Sequence, residues 1–163
     1  MNGESPTGTR PALGELRADH VSIHVRDFDG AMAWYREVLG FETEVAWSVG
    51  ALGGKRLAYL AVPGGARIEL VAASGGAGPD PAADFAEHFD RPGYGHLCFR
   101  VDDVDAAMVA LAARGVPAFA AAATYPLDGT PYERRVAFVQ DPEGNVVEFA
   151  GPLRKAPRPS PSG

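Results

Sequence analysis

Alternating apolar and polar residues mark the start of a repeated structural unit. In the run HVSIHV (residues 20–25), the valines and the isoleucine share one parity, and the histidines and the serine share the other, which predicts a half-buried strand. Apolar residues then recur at helical spacing between 31 and 39, before Gly40, and either Asp27 or Asp29 is placed to cap this helix. Three more strands are predicted, at 42–48, 57–62 and 67–71. The predicted unit is therefore βαβββ.

The same pattern returns in the second half of the chain. HVSIHVRDFDGAM (20–32) aligns with HLCFRVDDVDAAM (96–108) at a constant offset of 76, with six of thirteen positions identical, where average composition gives about one. RLAYLAVPGGARIEL (56–70) aligns with RVAFVQDPEGNVVEF (135–149) at an offset of 79. Pro-Gly-Gly and Asp-Pro-Glu-Gly-Asn supply turns at corresponding places. We therefore predict an internal duplication.

The second copy predicts a helix capped by Asp103 or Asp105 and ended by Gly115. Its strands are predicted near 117–122, at 136–140 and at 146–149, after a first strand that begins at residue 96. The fold class is α+β, with two βαβββ modules that form a mixed, mostly antiparallel sheet cup. The predicted segments are a disordered tail (1–17), a first module (18–71), a Gly/Ala/Pro-rich linker (72–93), a second module (94–151) and a disordered Pro-rich tail (152–163).

Composition narrows the classes of function. With 163 residues and 46% hydrophobic residues, the chain can bury one core. A net charge of −6, without a basic run, argues against nucleic-acid binding. The apolar stretches are shorter than the roughly 20 residues of a membrane span, and no signal region is evident, so we expect a cytoplasmic protein without membrane contact. The single cysteine, Cys98, cannot form an intrachain disulfide.

One histidine on the first strand and one glutamate on the last strand recur in both modules. They are His20 and Glu69 in the first module, and His96 and Glu148 in the second. Each lies on the polar parity of its strand, so the four converge in one concavity if the modules pack around a pseudo-two-fold axis. A single strand histidine is more often structural. Two imidazoles with two carboxylates, however, form a ligand set for a divalent ion such as Ni, Co, Zn, Mn or Fe(II).

These features together resemble the vicinal oxygen chelate superfamily. The resemblance rests on the duplication and on DHVSIHVRDFDGAMAWYREVLGF, RIELV, YGHLCFRVDD and FVQDPEGNVVEF, and it covers residues 19–150. The superfamily includes glyoxalase I, methylmalonyl-CoA epimerase, extradiol dioxygenases, fosfomycin-modifying enzymes and metal-free bleomycin-binding proteins, so membership does not define an activity. The resemblance implies that the four residues are metal ligands, in a set most similar to that of bacterial glyoxalase I and close to that of the epimerases.

Coordination geometry favours proton transfer. Four protein ligands leave about two adjacent positions on an octahedral ion, which suit a small-molecule substrate with adjacent oxygens. Glu148 or its counterpart Glu69 is then the catalytic base of a lyase or of an epimerase/isomerase. An Fe(II) extradiol dioxygenase is an alternative, but it uses two histidines and one carboxylate, so a bound Glu69 disfavours it. The other alternative is an antibiotic-binding protein without turnover, against which the full ligand set argues.

Further residues are candidates for contact with a substrate: His24, Arg67, Arg100, Trp47, Tyr59 and Phe119. The arginines can anchor an anion or form structural ion pairs, and the aromatic residues can form an apolar wall. His88, in the linker, is expected at the surface, and Cys98 is expected to be a packed thiol rather than a nucleophile. The modules pair within one chain or across two chains, and a homodimer is expected.

Overall fold

The computed structural model describes residues 17–62, 65–75 and 80–156. The first module contains, in chain order, β1 (Val21–Val25), α1 (Phe28–Glu37), β2 (Glu42–Val49), β3 (Lys55–Ala61) and β4 (Arg67–Ala72). A short helix, α2 (Phe85–Asp90), lies between the modules. The second module contains β5 (His96–Arg100), α3 (Val104–Ala113), β6 (Ala118–Pro126), β7 (Tyr132–Gln140), β8 (Val146–Ala150) and β9 (Arg154–Lys155). A 3-10 turn at Gly50–Leu52 joins β2 to β3.

Each module forms one mixed sheet with the same strand order. The orders are β1-β4-β3-β2 and β5-β8-β7-β6, with β9 added to β7. The first strand of each module pairs with the last strand in parallel, and the other pairs are antiparallel. Parallel neighbours need a crossover connection, to which α1 and α3 belong. The predicted α+β fold of two βαβββ modules is confirmed.

Equivalent side-chain contacts recur in the two modules. Asp27 and Asp103 cap α1 and α3, each accepting a hydrogen bond from the backbone N–H three residues later. The next aspartate of each helix start instead forms an ion pair with an arginine of the sheet, Asp29 with Arg56 and Asp105 with Arg135. The two capping alternatives that the sequence leaves open are therefore resolved in the same way twice.

The core lies between each sheet and its helix. Leu60 and Leu70 are fully buried in the cluster that includes α1, and Val139 and Val147 are fully buried in the cluster that includes α3. Trp34 of α1 packs against both clusters, so the two modules share one apolar body. The face of each sheet turned away from its helix is called the far face below.

The β7–β8 turn of the second module contacts α1 both at its beginning and near its end. The buried hydroxyl of Tyr35 donates a 2.9 Å hydrogen bond to Asp141. Glu143 accepts hydrogen bonds of 2.8 Å from the backbone N–H groups of Arg26 and Asp27, at a helix end that favours a carboxylate. Burial, together with the adjacent Asp141 carboxylate, raises the pKa of Tyr35 far above its usual value. The phenol therefore remains a donor at neutral pH.

The connecting segments contain more structure than the sequence predicts. Residues 85–90 of the predicted linker form α2, and residues 154–155 of the predicted C-terminal tail pair with β7. β6 ends four residues later and β7 begins four residues earlier than predicted, because their hairpin continues through residues that do not alternate clearly between apolar and polar. The prediction that a disordered tail begins at residue 152 is therefore wrong for residues 154–155, which form β9.

Some predictions fall on residues 1–16, 63–64, 76–79 and 157–163, which lie outside the described residues. They are most of both predicted tails, part of the Pro-Gly-Gly turn and part of the linker. In the described part of the chain, none of the helices is long and apolar enough to cross a membrane.

Candidate active site

Each sheet places one histidine and one glutamate together on its far face. In the parallel β1–β4 pair, Glu69 lies opposite the residue that comes two positions after His20. In the parallel β5–β8 pair, Glu148 lies opposite the residue that comes two positions after His96. Since alternate residues of a strand share a face, each histidine lies on the same side as its glutamate. We call His20 with Glu69 the first half-site, and His96 with Glu148 the second half-site.

The distance within the second half-site matches that between two ligands of one ion, and the distance within the first half-site is longer. Nε2 of His96 lies 2.9 Å from Oε2 of Glu148, and Nε2 of His20 lies 3.7 Å from Oε2 of Glu69. Two ligand atoms about 2.1 Å from an ion, and at right angles to each other, are about 3 Å apart. Imidazole nitrogen and carboxylate oxygen are donors that divalent transition-metal ions accept. Each half-site therefore fits part of a metal centre.

The two half-sites do not meet within one chain. Among the residues described here, no three His, Cys, Asp or Glu side chains form a cluster able to hold a metal ion. The four predicted ligands are therefore brought together as two separate pairs. The sequence leaves two arrangements open, and the described residues of a single chain do not form the one in which all four side chains converge.

An aromatic ring flanks the histidine of each half-site. The ring of Tyr59, across from the glutamate in the β3–β4 pair, has its centroid 5.1 Å from that of His20. The ring of Phe138, across from the glutamate in the β7–β8 pair, has its centroid 5.5 Å from that of His96. Tyr59 is a predicted substrate residue. Phe138 is missed by sequence reasoning, although it aligns with Tyr59 at the offset of 79.

A second ring extends each aromatic wall. In the first module, Trp47 of β2 lies 4.8 Å from Tyr59, so two predicted substrate residues are neighbours. In the second module, Phe85 of α2 takes the corresponding place, 4.8 Å from Phe138. Phe119, the third predicted aromatic residue, packs like Phe85 against the buried cluster that includes Phe138. The walls are thus built from different elements in the two modules.

A charged network holds the outer nitrogen of His20. Nδ1 of His20 lies 2.8 Å from Oδ2 of Asp19. Arg67 donates hydrogen bonds to Asp19 over 2.7 Å and to Glu44 over 2.7 and 3.2 Å, and its guanidinium lies 5.5 Å from the centroid of the Tyr59 ring. The hydrogen bond from His20, together with Arg67, lowers the pKa of Asp19. Arg67 therefore forms the structural ion pairs that the sequence offers as the alternative to substrate binding, and a substrate anion would have to displace them.

The expectation that His88 lies at the surface is wrong. The residue is 8% exposed, because α2 packs on the far face of the second sheet, where Phe85 contacts Phe138. Nε2 of His88 lies 3.2 Å from Nδ1 of His96. Burial lowers the pKa of His88, and the neighbouring His96 and Arg91 lower it further. The inter-module segment thus contributes directly to the surroundings of the second half-site.

The sequence does contain a signal for α2. Asp84 precedes Glu87 by three residues, the spacing of a helix start, and the Asp84 carboxylate accepts a 2.9 Å hydrogen bond from the Glu87 backbone N–H. Glu87 in turn accepts a hydrogen bond from the backbone N–H of Ala83 over 2.7 Å. The helix could therefore be predicted, but its contact with the second half-site depends on packing between distant segments.

Three further polar residues lie on the edge strands β1 and β5. His24 is exposed and lines a cavity of about 330 Å³ between these strands, together with His96. Arg100 is exposed at the end of β5 and forms no ion pair with a described residue. Cys98 is exposed, so the packed position expected for it is wrong. Partial desolvation and the adjacent Glu148 raise the pKa of Cys98 to about 12, which disfavours a nucleophilic thiolate.

Comparison with known proteins identifies the family. Residues 17–149 match the family model of the Glyoxalase/Bleomycin resistance protein/Dioxygenase superfamily, and the chain belongs to this family. A lactoylglutathione lyase from Pseudomonas putida is 30% identical in an alignment 159 positions long, and the match covers 87% of this chain and 88% of that protein. The predicted resemblance to the vicinal oxygen chelate superfamily is confirmed.

Solved structures show the same fold. A glyoxylase/bleomycin resistance protein/dioxygenase domain from Frankia sp. is 28% identical, with a TM-score of 0.58, covering 83% of this chain and 91% of that one. A glyoxalase family protein from Bacillus cereus is 23% identical, with a TM-score of 0.67, covering 88% of this chain and 98% of that one.

Proposed function

We propose that this chain is a divalent-metal-dependent lyase of the glyoxalase I type. The observation that carries the proposal is the pair of equivalent half-sites, each with an imidazole nitrogen and a carboxylate oxygen on the far face of its sheet. The lactoylglutathione lyase of Pseudomonas putida favours a lyase over an epimerase. The proposed substrate is the hemithioacetal of a 2-oxoaldehyde and a thiol, which has two adjacent oxygens.

The proposed metal centre takes its four ligands from two chains. The half-sites of one chain are separate, so His20 and Glu69 of one protomer would face His96 and Glu148 of a second protomer. A two-fold axis then generates two equivalent centres in a homodimer. Each half-site contributes one nitrogen and one oxygen, and together they leave room for both substrate oxygens.

Proton transfer between adjacent carbons is the proposed reaction. A divalent ion, when bound, would polarise the two substrate oxygens and acidify the carbon that bears the hydroxyl and the sulfur. Glu148 or Glu69 removes the proton from that carbon and returns it to the neighbouring carbonyl carbon. The hydroxyl proton passes to the former carbonyl oxygen through solvent. One C–H bond breaks, another forms, and the product is a 2-hydroxy thioester without net oxidation.

The aromatic walls support this chemistry by covering the apolar part of the substrate. Trp47 and Tyr59 flank the first half-site, and Phe138 flanks the second. Rings beside the reacting carbons exclude water and so limit loss of the transferred proton to solvent. The epimerase alternative uses the same base but returns the proton to the opposite face of the same carbon.

Metal content and turnover test the proposal together. The wild type and Glu69→Ala would be purified without chelator, analysed for bound metal, and assayed for thioester formation from methylglyoxal and glutathione. We expect about one ion per chain in the wild type, and weaker or absent binding in the variant. His20→Ala and Glu148→Gln should abolish turnover and leave thermal unfolding nearly unchanged, because neither side chain belongs to the apolar core.

Other outcomes would contradict the proposal in different ways. Iron retained by Glu69→Ala, together with cleavage of a catechol ring, would support the extradiol dioxygenase alternative, since two histidines and one carboxylate suffice for that chemistry. Absence of metal from both proteins, even after incubation with nickel or zinc salts, would leave a small-molecule binding protein without turnover.

A further inference from the structure

The helix between the modules is anchored on the second half-site. The α2 residue Phe85 packs against Phe138 in a tilted arrangement with a centroid distance of 4.8 Å, and the ring of Phe89 lies 6.0 Å from the ring of His96. Arg91, just after the helix, bonds to Glu87 and to the backbone carbonyl of Asp80. These contacts hold α2 at both its apolar and polar sides, so the position of its side chains relative to the sheet is fixed.

This anchoring places His88 against one particular nitrogen of His96. Nε2 of His88 lies 3.2 Å from Nδ1 of His96, with a distance of 5.5 Å between the ring centroids. No other hydrogen bond to that nitrogen occurs among the described residues. The opposite nitrogen, Nε2 of His96, faces Glu148 at 2.9 Å. The two ring nitrogens of His96 therefore have different partners.

The direction of the hydrogen bond follows from the proposed use of His96. A ligand nitrogen must offer its lone pair, so if Nε2 of His96 binds the ion, the proton of the neutral ring resides on Nδ1. That N–H then needs an acceptor, and the unprotonated Nε2 of His88 is within reach. Ligand histidines are commonly oriented by such an outer partner on the second nitrogen.

We propose that His88 is a positioning residue, which holds His96 in the tautomer and orientation that direct Nε2 into the metal centre. The inference rests on the proposed function, because it concerns the same centre. The first half-site has an analogous partner in Asp19, which contacts Nδ1 of His20 at 2.8 Å. His88 of the inter-module helix therefore orients the ring of His96, as the neighbouring carboxylate of Asp19 orients the ring of His20.

Two substitutions separate the acceptor from the ring itself. His88→Phe keeps an aromatic ring on α2 but removes the acceptor, whereas the side-chain oxygen of His88→Gln can reach the place of Nε2. Affinities for Ni²⁺ and Zn²⁺ would be measured on the full chain by competition with a chromophoric chelator. His88→Phe should weaken binding about 10- to 100-fold, and His88→Gln should stay within about fivefold of the wild type. Asp90→Asn, an exposed change on the same helix, is the matched control and should bind like the wild type.

The outcomes distinguish this inference from the proposed function. Wild-type protein that binds neither ion would overturn both. Wild-type binding that is unchanged in His88→Phe would overturn only the role of His88, and the metal centre would stand. Equal loss in His88→Phe and His88→Gln, with unchanged thermal unfolding, would overturn the acceptor role and indicate that the shape of the imidazole matters instead.

Discussion

At the scale of single residues, the two half-sites differ most in what lies behind their histidines. Nδ1 of His20 contacts a carboxylate, Asp19, which Arg67 also holds. Nδ1 of His96 contacts the buried imidazole of His88. A carboxylate partner makes an imidazole a stronger electron donor than a neutral partner does. We therefore expect the nitrogen of His20 to be the stronger metal ligand of the two.

Replacing Asp19 with asparagine tests this expectation. Asp19→Asn keeps a hydrogen-bond acceptor beside His20 but removes the negative charge, so the affinity of the full chain for Zn²⁺ should fall about tenfold or more. Titration of the metal-free protein by calorimetry measures the change. Asp105→Asn is the matched control, because it also breaks an aspartate–arginine pair but contacts no histidine. Equal affinities of the two variants would show that the charge of Asp19 does not act on the centre.

Residue identity at the half-sites could be predicted because it is duplicated. The pairs His20 with Glu69 and His96 with Glu148 stand out only when the two halves of the chain are aligned. The contact of His88 could not be predicted in this way, since α2 has no counterpart among the described elements of the first module. Its burial depends on a helix that packs onto a sheet formed by residues much later in the chain.

At the scale of secondary-structure elements, the β7–β8 turn is the joint between the modules. Asp141 accepts hydrogen bonds from the backbone N–H groups of Glu143 and Asn145, both at 2.9 Å, and from the Tyr35 hydroxyl. Glu143 then bonds to the beginning of α1. One turn therefore organises its own backbone and fixes the position of a helix from the other module. Since the sheets carry the half-sites, these contacts also determine the position of one half-site relative to the other.

Removal of the Tyr35 hydroxyl should weaken this joint. Tyr35→Phe leaves a charged acceptor without one of its donors and should lower the free energy of unfolding by about 1–3 kcal/mol at neutral pH. The pKa of Tyr35 is raised in the folded protein, so the unfolded chain loses this proton first, and wild-type stability should decline as the pH rises above about 10. The decline should be shallower in Tyr35→Phe, as measured by urea unfolding between neutral and alkaline pH.

An exposed tyrosine supplies the control for alkaline titration. Tyr94 is fully exposed, so its hydroxyl contacts solvent rather than a buried acceptor. Tyr94→Phe should therefore change neither the free energy of unfolding nor its dependence on pH. If Tyr35→Phe behaved in the same way, the buried hydrogen bond to Asp141 would not contribute to the joint.

At the scale of the whole molecule, duplication produces two half-sites but leaves them apart. The repeated βαβββ pattern predicts the sheets and their matching residues, because each strand and helix has its own local periodicity. The relative placement of the modules depends on contacts between the modules, such as Tyr35 with Asp141 and Trp34 between the two core clusters. The alignment of the halves contains no information on those contacts, so the sequence could not decide where the four ligands meet.

A centre shared between two chains predicts complementation between inactive variants. His20→Ala and His96→Ala should each be inactive alone, because every centre of the homodimer lacks one histidine. In a mixed dimer, one centre lacks both histidines, but the other combines the intact first half-site of the His96→Ala chain with the intact second half-site of the His20→Ala chain. Random pairing should therefore restore about a quarter of the wild-type rate of thioester formation per chain. Co-expression with two affinity tags isolates the mixed dimer, which should reach about half of that rate. A mixed dimer that forms, binds no more metal than either variant alone and shows no turnover would exclude the shared centre.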